Sequence, residues 1–486
     1  MSLKERTLNS LGWTILERIG VRTVTFGVQI LLARILLPEE FGIVSTVAII
    51  LIIARVLTEG GLGSAIIQNQ KVERIDISTV FFLNLLISCV VFVGLTAMSP
   101  WFADFFEKPE LRNVLPVLAV GIVIAAFGQI QVQMLNKNME FKRLLKISLP
   151  STILSGIAGI GMALAGFGVW ALVGLRLVQN FVFTVTVWMF CNPEWRPRFE
   201  FSFGSVRKLA GFGFARLFTN LTFQTTRNLY GLVIAKAYGM SDLAFYNRAQ
   251  SFQKQPVTAI VSSLNRVMFP VFSEIQHDNA RMRTALRKGI PAIVFIVIPA
   301  MVLLMTVAEP LIQVLLTEKW IESVPYLQIC PLLGICYCVN SIKMNVITGK
   351  GNPKLIFALG VIRPGLQLLV LWLTWKHGVM AILIGQVAVP IFNTFFINDI
   401  IIRRIIDFPL RQQWSDWLPY FGVSAVAAGL ASLLNLAPLP LPILQLIAQT
   451  LIFTIIYLGL CYSLKLSGMA FVIDRAKRIR NGKQAS

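Results

Sequence analysis

Fourteen stretches of about twenty mostly apolar residues follow one another along this chain, and no other feature restricts its fold so strongly. They fall at about 9–36, 42–66, 78–99, 114–135, 146–168, 170–190, 206–236, 245–272, 288–308, 325–347, 354–375, 378–402, 417–435 and 442–464. A hydrocarbon layer roughly 30 Å thick is crossed by ~20 such residues in a helix, whereas a membrane β-strand needs only ~10. Lipid offers the backbone no hydrogen-bond partner, so each crossing must satisfy its own amides. The expected fold is therefore an all-α polytopic membrane protein of about 14 transmembrane helices. Composition agrees, with 56% hydrophobic and 14% charged residues. A soluble domain carries about 25% charge, so a soluble enzyme, a disordered chain and a disulfide scaffold are all excluded. The first, seventh and eighth stretches are the weakest, because charges interrupt them. The charged residues Glu17, Arg18 and Arg22 follow the N-terminus directly, so no cleaved signal peptide is expected and the first span is retained.

The formal net charge of +21 would suggest nucleic acid in a soluble protein. In a membrane protein it first reports orientation, since cytoplasmic loops collect Lys and Arg. With the N-terminus placed inside, inside segments hold 27 Lys and Arg and outside segments only 4 (Lys108, Arg112, Lys319, Lys376), the latter against nine acids. Both termini are thus expected in the cytoplasm, and nucleic acid is not an expected partner. All ten Trp lie near expected helix ends, where interfacial belts form. The outside loops around 99–113 and 309–324 have room for one small amphipathic helix each. Six Cys show no metal-ligand spacing, and the two His, 277 and 377, lie on opposite sides of the membrane. Neither a metal site nor a catalytic site is expected, so the chain does not read as an enzyme.

An internal repeat organises the spans. Thr23–Val44 (TVTFGVQILLARILLPEEFGIV) aligns with Thr225–Tyr246 (TTRNLYGLVIAKAYGMSDLAFY) at an offset of about 202 residues, or six helices. A six-span repeat preserves orientation, which relates the copies by an axis along the membrane normal. The expected organisation is one six-helix lobe over 1–192, a second over 193–410, two additional helices over 411–465 and a basic cytoplasmic tail over 466–486.

Thirteen cations remain in or beside the spans: Arg18, Arg22, Arg34, Arg55, Arg176, Arg216, Arg227, Lys236, Arg248, Lys254, Arg266, Lys343 and Arg363. Only Glu17, Glu59, Asp399 and Asp416 accompany them, which leaves the membrane region at +9. Arg34 and Lys236 are placed to snorkel outward. An Arg at mid-membrane costs about 2.5–3.5 kcal/mol even on lenient scales, so such residues normally face a wet cavity or a partner. Spacing supports one cavity. Arg18, Arg22, Thr25 and Gln29 share a face of the first span, as do Arg216, Asn220, Gln224 and Arg227 on the seventh. Arg55 and Glu59 stand four apart on the second span, Arg266 lies on the eighth, Lys343 on the tenth and Arg363 on the eleventh. A surplus of cations calls for an anionic cargo, and Arg suits phosphate oxygens. The expected cargo-binding set is Arg18, Arg22, Arg55, Arg216, Arg227, Arg266, Lys343, Arg363, Asn220 and Gln224, with Glu17 and Glu59 tuning it or coupling it to an ion.

The runs MSLKERTLNSLGWT, LARILLPEEFGIVS, GLGSAIIQ, FADFFEKPELRNVLPVLA, LNKNMEFKRL, IAKAYGMSDLAFYNRAQ and LNRVMFPVFSEIQHDNARMR occur in that order. In these runs the chain resembles the polysaccharide transporter family, the Wzx-type flippases of the multidrug/oligosaccharidyl-lipid/polysaccharide superfamily, in particular colanic-acid-exporter-like members. The resemblance extends from Met1 to about residue 410. It implies two six-helix lobes around a central cavity that opens to each side in turn. It also implies a location in the bacterial inner membrane and transfer of undecaprenyl-diphosphate-linked oligosaccharide repeat units to the periplasmic leaflet, for exopolysaccharide or lipopolysaccharide synthesis. Related flippases use cavity arginines of their first, second and eighth helices, which here are the helices of Arg18, Arg22, Arg55 and Arg266. Membrane lipid and the pathway's polymerase and chain-length components are candidate partners. No cofactor is expected, and coupling to H+ or Na+ stays open. The alternative reading, a multidrug or metabolite cation antiporter, needs dominant intramembrane carboxylates, and only Glu17 and Glu59 qualify. A membrane enzyme would need acid–base groups at the outer face, where the loops are short.

Overall fold

A computed structural model describes residues 20–59, 66, 73–351, 353–436 and 439–469. Every regular element among them is helical, and helices run through the described parts of the fourteen apolar stretches. Eleven helical segments among the described residues are long and apolar enough to cross a membrane by length and composition. The three stretches outside that set are the three that charges interrupt. Two of these, Phe203–Ala237 and Met240–Glu274, are nonetheless helices of 35 residues each.

Contacts divide the chain into two compact units, Met1–Ala244 and Phe245–Ser486. In the first unit α1 (20–35), α2 (Pro38–Glu59), α3 (Arg74–Phe106), α4 (Leu111–Lys137), α5 (Phe141–Leu164), α6 (Val169–Phe190) and α7 (Phe203–Ala237) follow one another. The helix α5 packs along α6, α3 along α4, and α2 touches α3, α4, α6 and α7. The seventh helix, which the repeat assigns to the second lobe, lies here against α2 and α3. The breaks after α1 and α7 sit at equivalent points of the repeat, since α2 begins at Pro38 and α8 (Met240–Glu274) at Met240.

The approach of α2 to the α7–α8 turn is too close for any side chain at Gly42. A Cβ there would stand 1.9 Å from the Met240 carbonyl oxygen. Further along, a Cβ on Gly231 would stand 2.7 Å from Ile49. Thr46 completes the contact by donating to the Met240 sulfur at 3.0 Å. Because backbone must move to admit even one methyl, Gly42→Val is expected to cost at least about 1–3 kcal/mol, the range typical of overpacking. Thermal unfolding of the purified protein in detergent reads that loss as a lowered Tm.

Two ion pairs tie the α3–α4 turn to neighbouring helices. Lys108 pairs with Glu39 of α2, and Lys236 of α7 pairs with Glu107 at 2.7 Å. The hydrogen bond and charge of Lys236 hold the Glu107 carboxyl below its ordinary range, and the Glu39 hydrogen bond raises Lys108. Here α3 runs on to Phe106 and α4 starts at Leu111, so no separate small helix forms around 99–113 as the sequence suggests. The left-handed Glu107, at φ 55°, turns the chain instead.

The second unit runs from most of α8 through α9 (Asn279–Thr306), α10 (Ala308–Leu315), α11 (Val324–Ile329), α12 (Pro331–Gly349), α13 (Pro353–Thr374) and α14 (Val379–Phe392). A π-helical turn, Asn393–Ile397, leads into α15 (Asn398–Ile406), then α16 (Leu410–Ser415), α17 (Leu418–Ser432) and α18 (Pro442–Ser463). The short α10 is the small helix expected around 309–324. At the centre α9 packs on α12 and α17, while α17 and α18 pair. Phe295 of α9 anchors that pair, its ring against Tyr457 and its carbonyl accepting the Tyr457 hydroxyl hydrogen bond at 2.8 Å.

Candidate functional site

The cations expected in the membrane divide into those packed inside their unit and those that stay accessible. In the second unit Lys343 and Arg248 are buried, and the half-buried Arg363 is held by a hydrogen bond. Lys343 is 1% exposed and pairs with the fully buried Asp399, while also donating to the Thr394 carbonyl at 2.8 Å. The Trp414 indole clamps the other Asp399 oxygen at 3.1 Å, and the Phe395 ring covers the ammonium at 5.1 Å. Arg363 donates to the Asn398 side-chain oxygen at 2.6 Å, and Asn398 donates in turn to Asn340 at 2.8 Å. Arg248 is 6% exposed and lies 4.8 Å from the centre of the Trp320 ring, as cations favour. Lys254 alone of this unit's described membrane cations is exposed.

The first unit is arranged differently. Arg22 on α1, Arg55 on α2, Arg176 on α6 and Arg227 on α7 are all exposed, and Asn220 and Gln224 are partly so. Arg176 is exposed and feels the like charge of Arg55. The helices α2 and α6 that carry these two arginines are in direct contact.

A third helix reaches the same level. Gly42 faces Met240 and Ile49 faces Gly231, so α2 and α7 run antiparallel. At about 1.5 Å per residue, this register brings Arg55 level with Gln224, and within about a turn of Asn220 and Arg227. The helix α1 packs on α5, with Val28 against Gly156, and carries Arg22. Exposed guanidiniums on contacting helices, with carboxamide donors near the same depth, are of the kind that binds phosphate oxygens.

Sequence spacing selected Arg22, Arg55, Arg227, Asn220 and Gln224, and the structure places the last four with Arg176 on three packed helices. Arg18 and Glu17 lie outside the described residues, as do the side chains of Glu59, Arg216 and Arg266. Lys343 and Arg363 lie in the second unit's hydrogen-bonded network. Arg176 was not selected, although a signal existed: Arg176, Gln179 and Asn180 stand at helical spacing on one face.

Comparison with known proteins bears on this geometry. Residues 31–325 match the family described as "Polysaccharide biosynthesis protein". The lipopolysaccharide biosynthesis protein WzxC of Escherichia coli K12 is 25% identical over 425 residues, covering 87% of this chain and 86% of that protein. The succinoglycan biosynthesis transport protein ExoT of Rhizobium meliloti is 26% identical over 485 residues, covering 96% and 95%. Among solved structures, the inward closed conformation of the lipid II flippase MurJ superposes with a TM-score of 0.70 at 16% identity, over 93% of this chain and 99% of that one. That likeness shows the shared fold.

Proposed function

The chain belongs to the polysaccharide biosynthesis protein family and is a multi-pass membrane protein, and on that premise we propose that it moves undecaprenyl-diphosphate-linked oligosaccharide repeat units from the cytoplasmic to the periplasmic leaflet of the bacterial inner membrane. The observation that supports this reading is that the exposed Arg55 and Arg176 lie on the contacting helices α2 and α6, with Gln224 and Arg227 of α7 near the level of Arg55. The relatives' printed roles in lipopolysaccharide and succinoglycan synthesis support it.

The cargo's diphosphate binds Arg55 and Arg176, with Arg22, Arg227, Asn220 and Gln224 contributing; Arg18, Arg216 and Arg266 are proposed for cargo binding from the sequence alone. The glycan occupies the polar space and the polyprenyl tail stays in lipid. Access alternates between the two sides, with α1, α7 and α8 crossing the membrane beside the eleven apolar segments to give fourteen spans and cytoplasmic termini. The two six-helix lobes belong to the same proposal. No bond is made or broken. An inside-negative potential assists outward movement of the anion by about 2.3 kcal/mol per charge per 100 mV. Lys343 and Arg363 shape the second unit rather than touch cargo. An H+ or Na+ gradient as energy source, and pathway polymerase and chain-length components as partners, remain proposals beside it.

The test is a strain lacking this gene and complemented by its variants. Arg227→Glu and Arg22→Glu are expected to stop polysaccharide export at normal protein level, with lipid-linked repeat units accumulating in the inner leaflet. Full export from both variants contradicts the cavity assignment.

A further inference from the structure

We propose that the outer wall of the first unit carries a binding site for one phosphodiester-headed anionic lipid of the surrounding leaflet, separate from the cargo site and independent of the proposed transport. A groove of about 650 Å³ runs between α4 and α6. Ile124 and Phe127 form one wall, Phe181, Val185 and Met189 the other, and Arg196 closes one end. Its floor is built rather than accidental. Thr184 donates to the Ile124 carbonyl at 3.1 Å, and Trp188 donates to the Phe127 carbonyl at 2.8 Å. Both polar groups of the floor are thereby satisfied, leaving a surface suited to hydrocarbon. From Phe181 to Met189 the wall extends about 12 Å, enough for part of one lipid chain.

The depth of Arg196 identifies the occupant. The segment that follows it, Phe199–Phe203, exposes alternate aromatics, Phe199 at 98% and Phe203 at 82%. Trp188 lines this same end of the groove, and indole rings collect at the membrane–water boundary. Arg196 and the Trp188 end of the groove therefore lie at the level of lipid phosphates. A single guanidinium above an apolar slot matches a single negative phosphodiester with its chain below, and the cargo's diphosphate is better served by the paired arginines elsewhere in the unit.

The experiment extracts the full-length protein in mild detergent, exchanges the detergent exhaustively, and quantifies retained lipid by mass spectrometry. Phosphatidylglycerol is the probe, supplied in vesicles with equal phosphatidylcholine before extraction. The unaltered protein is expected to keep about one phosphatidylglycerol, and Arg196→Gln to lower that at least fivefold while Arg196→Lys preserves it. Val185→Trp, which fills the slot, is expected to lower it equally. Should that bulky change prevent folding, the two Arg196 variants decide the matter alone. Lys376→Gln, in the second unit, is expected to leave retention unchanged. Equal retention by all variants overturns the proposal. So does retention of phosphatidylcholine or of a polyprenyl lipid at this groove in place of phosphatidylglycerol.

Discussion

A protein carrying Arg55→Gln and Arg176→Gln together is expected to lose export entirely. The reasoning joins two energies. Each guanidinium that meets a phosphate makes charge-assisted hydrogen bonds, and losing one set costs about 1.5–3 kcal/mol. Every ~1.4 kcal/mol is tenfold in affinity, so each single variant should bind cargo roughly 10–100-fold more weakly and the pair ~10²–10⁴-fold. Without cargo the sign reverses. Arg176 feels the like charge of Arg55, and removing the Arg176 charge relieves that repulsion. Arg176→Gln should therefore raise the Tm of the empty protein while impairing transport, as expected where function imposes strain on a site. A residue that only held helices together would lower both. Thermal unfolding in detergent, measured beside export in complemented cells, distinguishes the two outcomes. A lowered Tm with full export would refute the role given to Arg176.

The Lys343–Asp399 pair predicts the opposite pattern. Both side chains are buried, at 1% and 0% exposure. Removing one partner strands the other charge, and breaking a buried pair costs about 3–5 kcal/mol. Lys343→Met and Asp399→Asn are each expected to reduce the amount of folded protein sharply. The double variant should recover much of it, because no charge remains buried. The carboxamide oxygen that replaces the Asp399 carboxylate still accepts from the Trp414 indole, which donates to Asp399 at 3.1 Å. Membrane abundance and Tm of the three variants test this, and normal export by the double variant would place the pair outside cargo binding. If the double variant were no better than the worse single one, the pair would not be a self-contained ion pair.

Much of this was legible in one dimension. Periodicity and length sufficed for the helices, because lipid permits little else. Surplus positive charge in the membrane was equally legible. Its division was not. Lys343 and Asp399 are 56 residues apart and meet where α15, just after the π-helical turn, packs on α12. Arg248 finds Trp320 across a similar separation. Spacing along one helix says which residues share a face, but cannot say whether that face meets a carboxylate, an aromatic ring or open space. Arg176 shows the converse. Its own helix carries the polar stripe Arg176, Gln179 and Asn180, yet its importance comes from Arg55 on a different helix. The small helix expected around 99–113 did not form because α3 continues through Pro100 to Phe106 and a single left-handed residue completes the turn.

The most direct measurement uses liposomes that contain this protein alone and an undecaprenyl-diphosphate-linked oligosaccharide with a fluorescent sugar in the outer leaflet. A membrane-impermeant quencher reports how much label stays outside. The account predicts that about half the label becomes protected within minutes with the unaltered protein, and that protection falls to the protein-free level with Arg55→Gln/Arg176→Gln. Full protection by the double variant, or none by the unaltered protein under an imposed potential and an H+ or Na+ gradient, would contradict it.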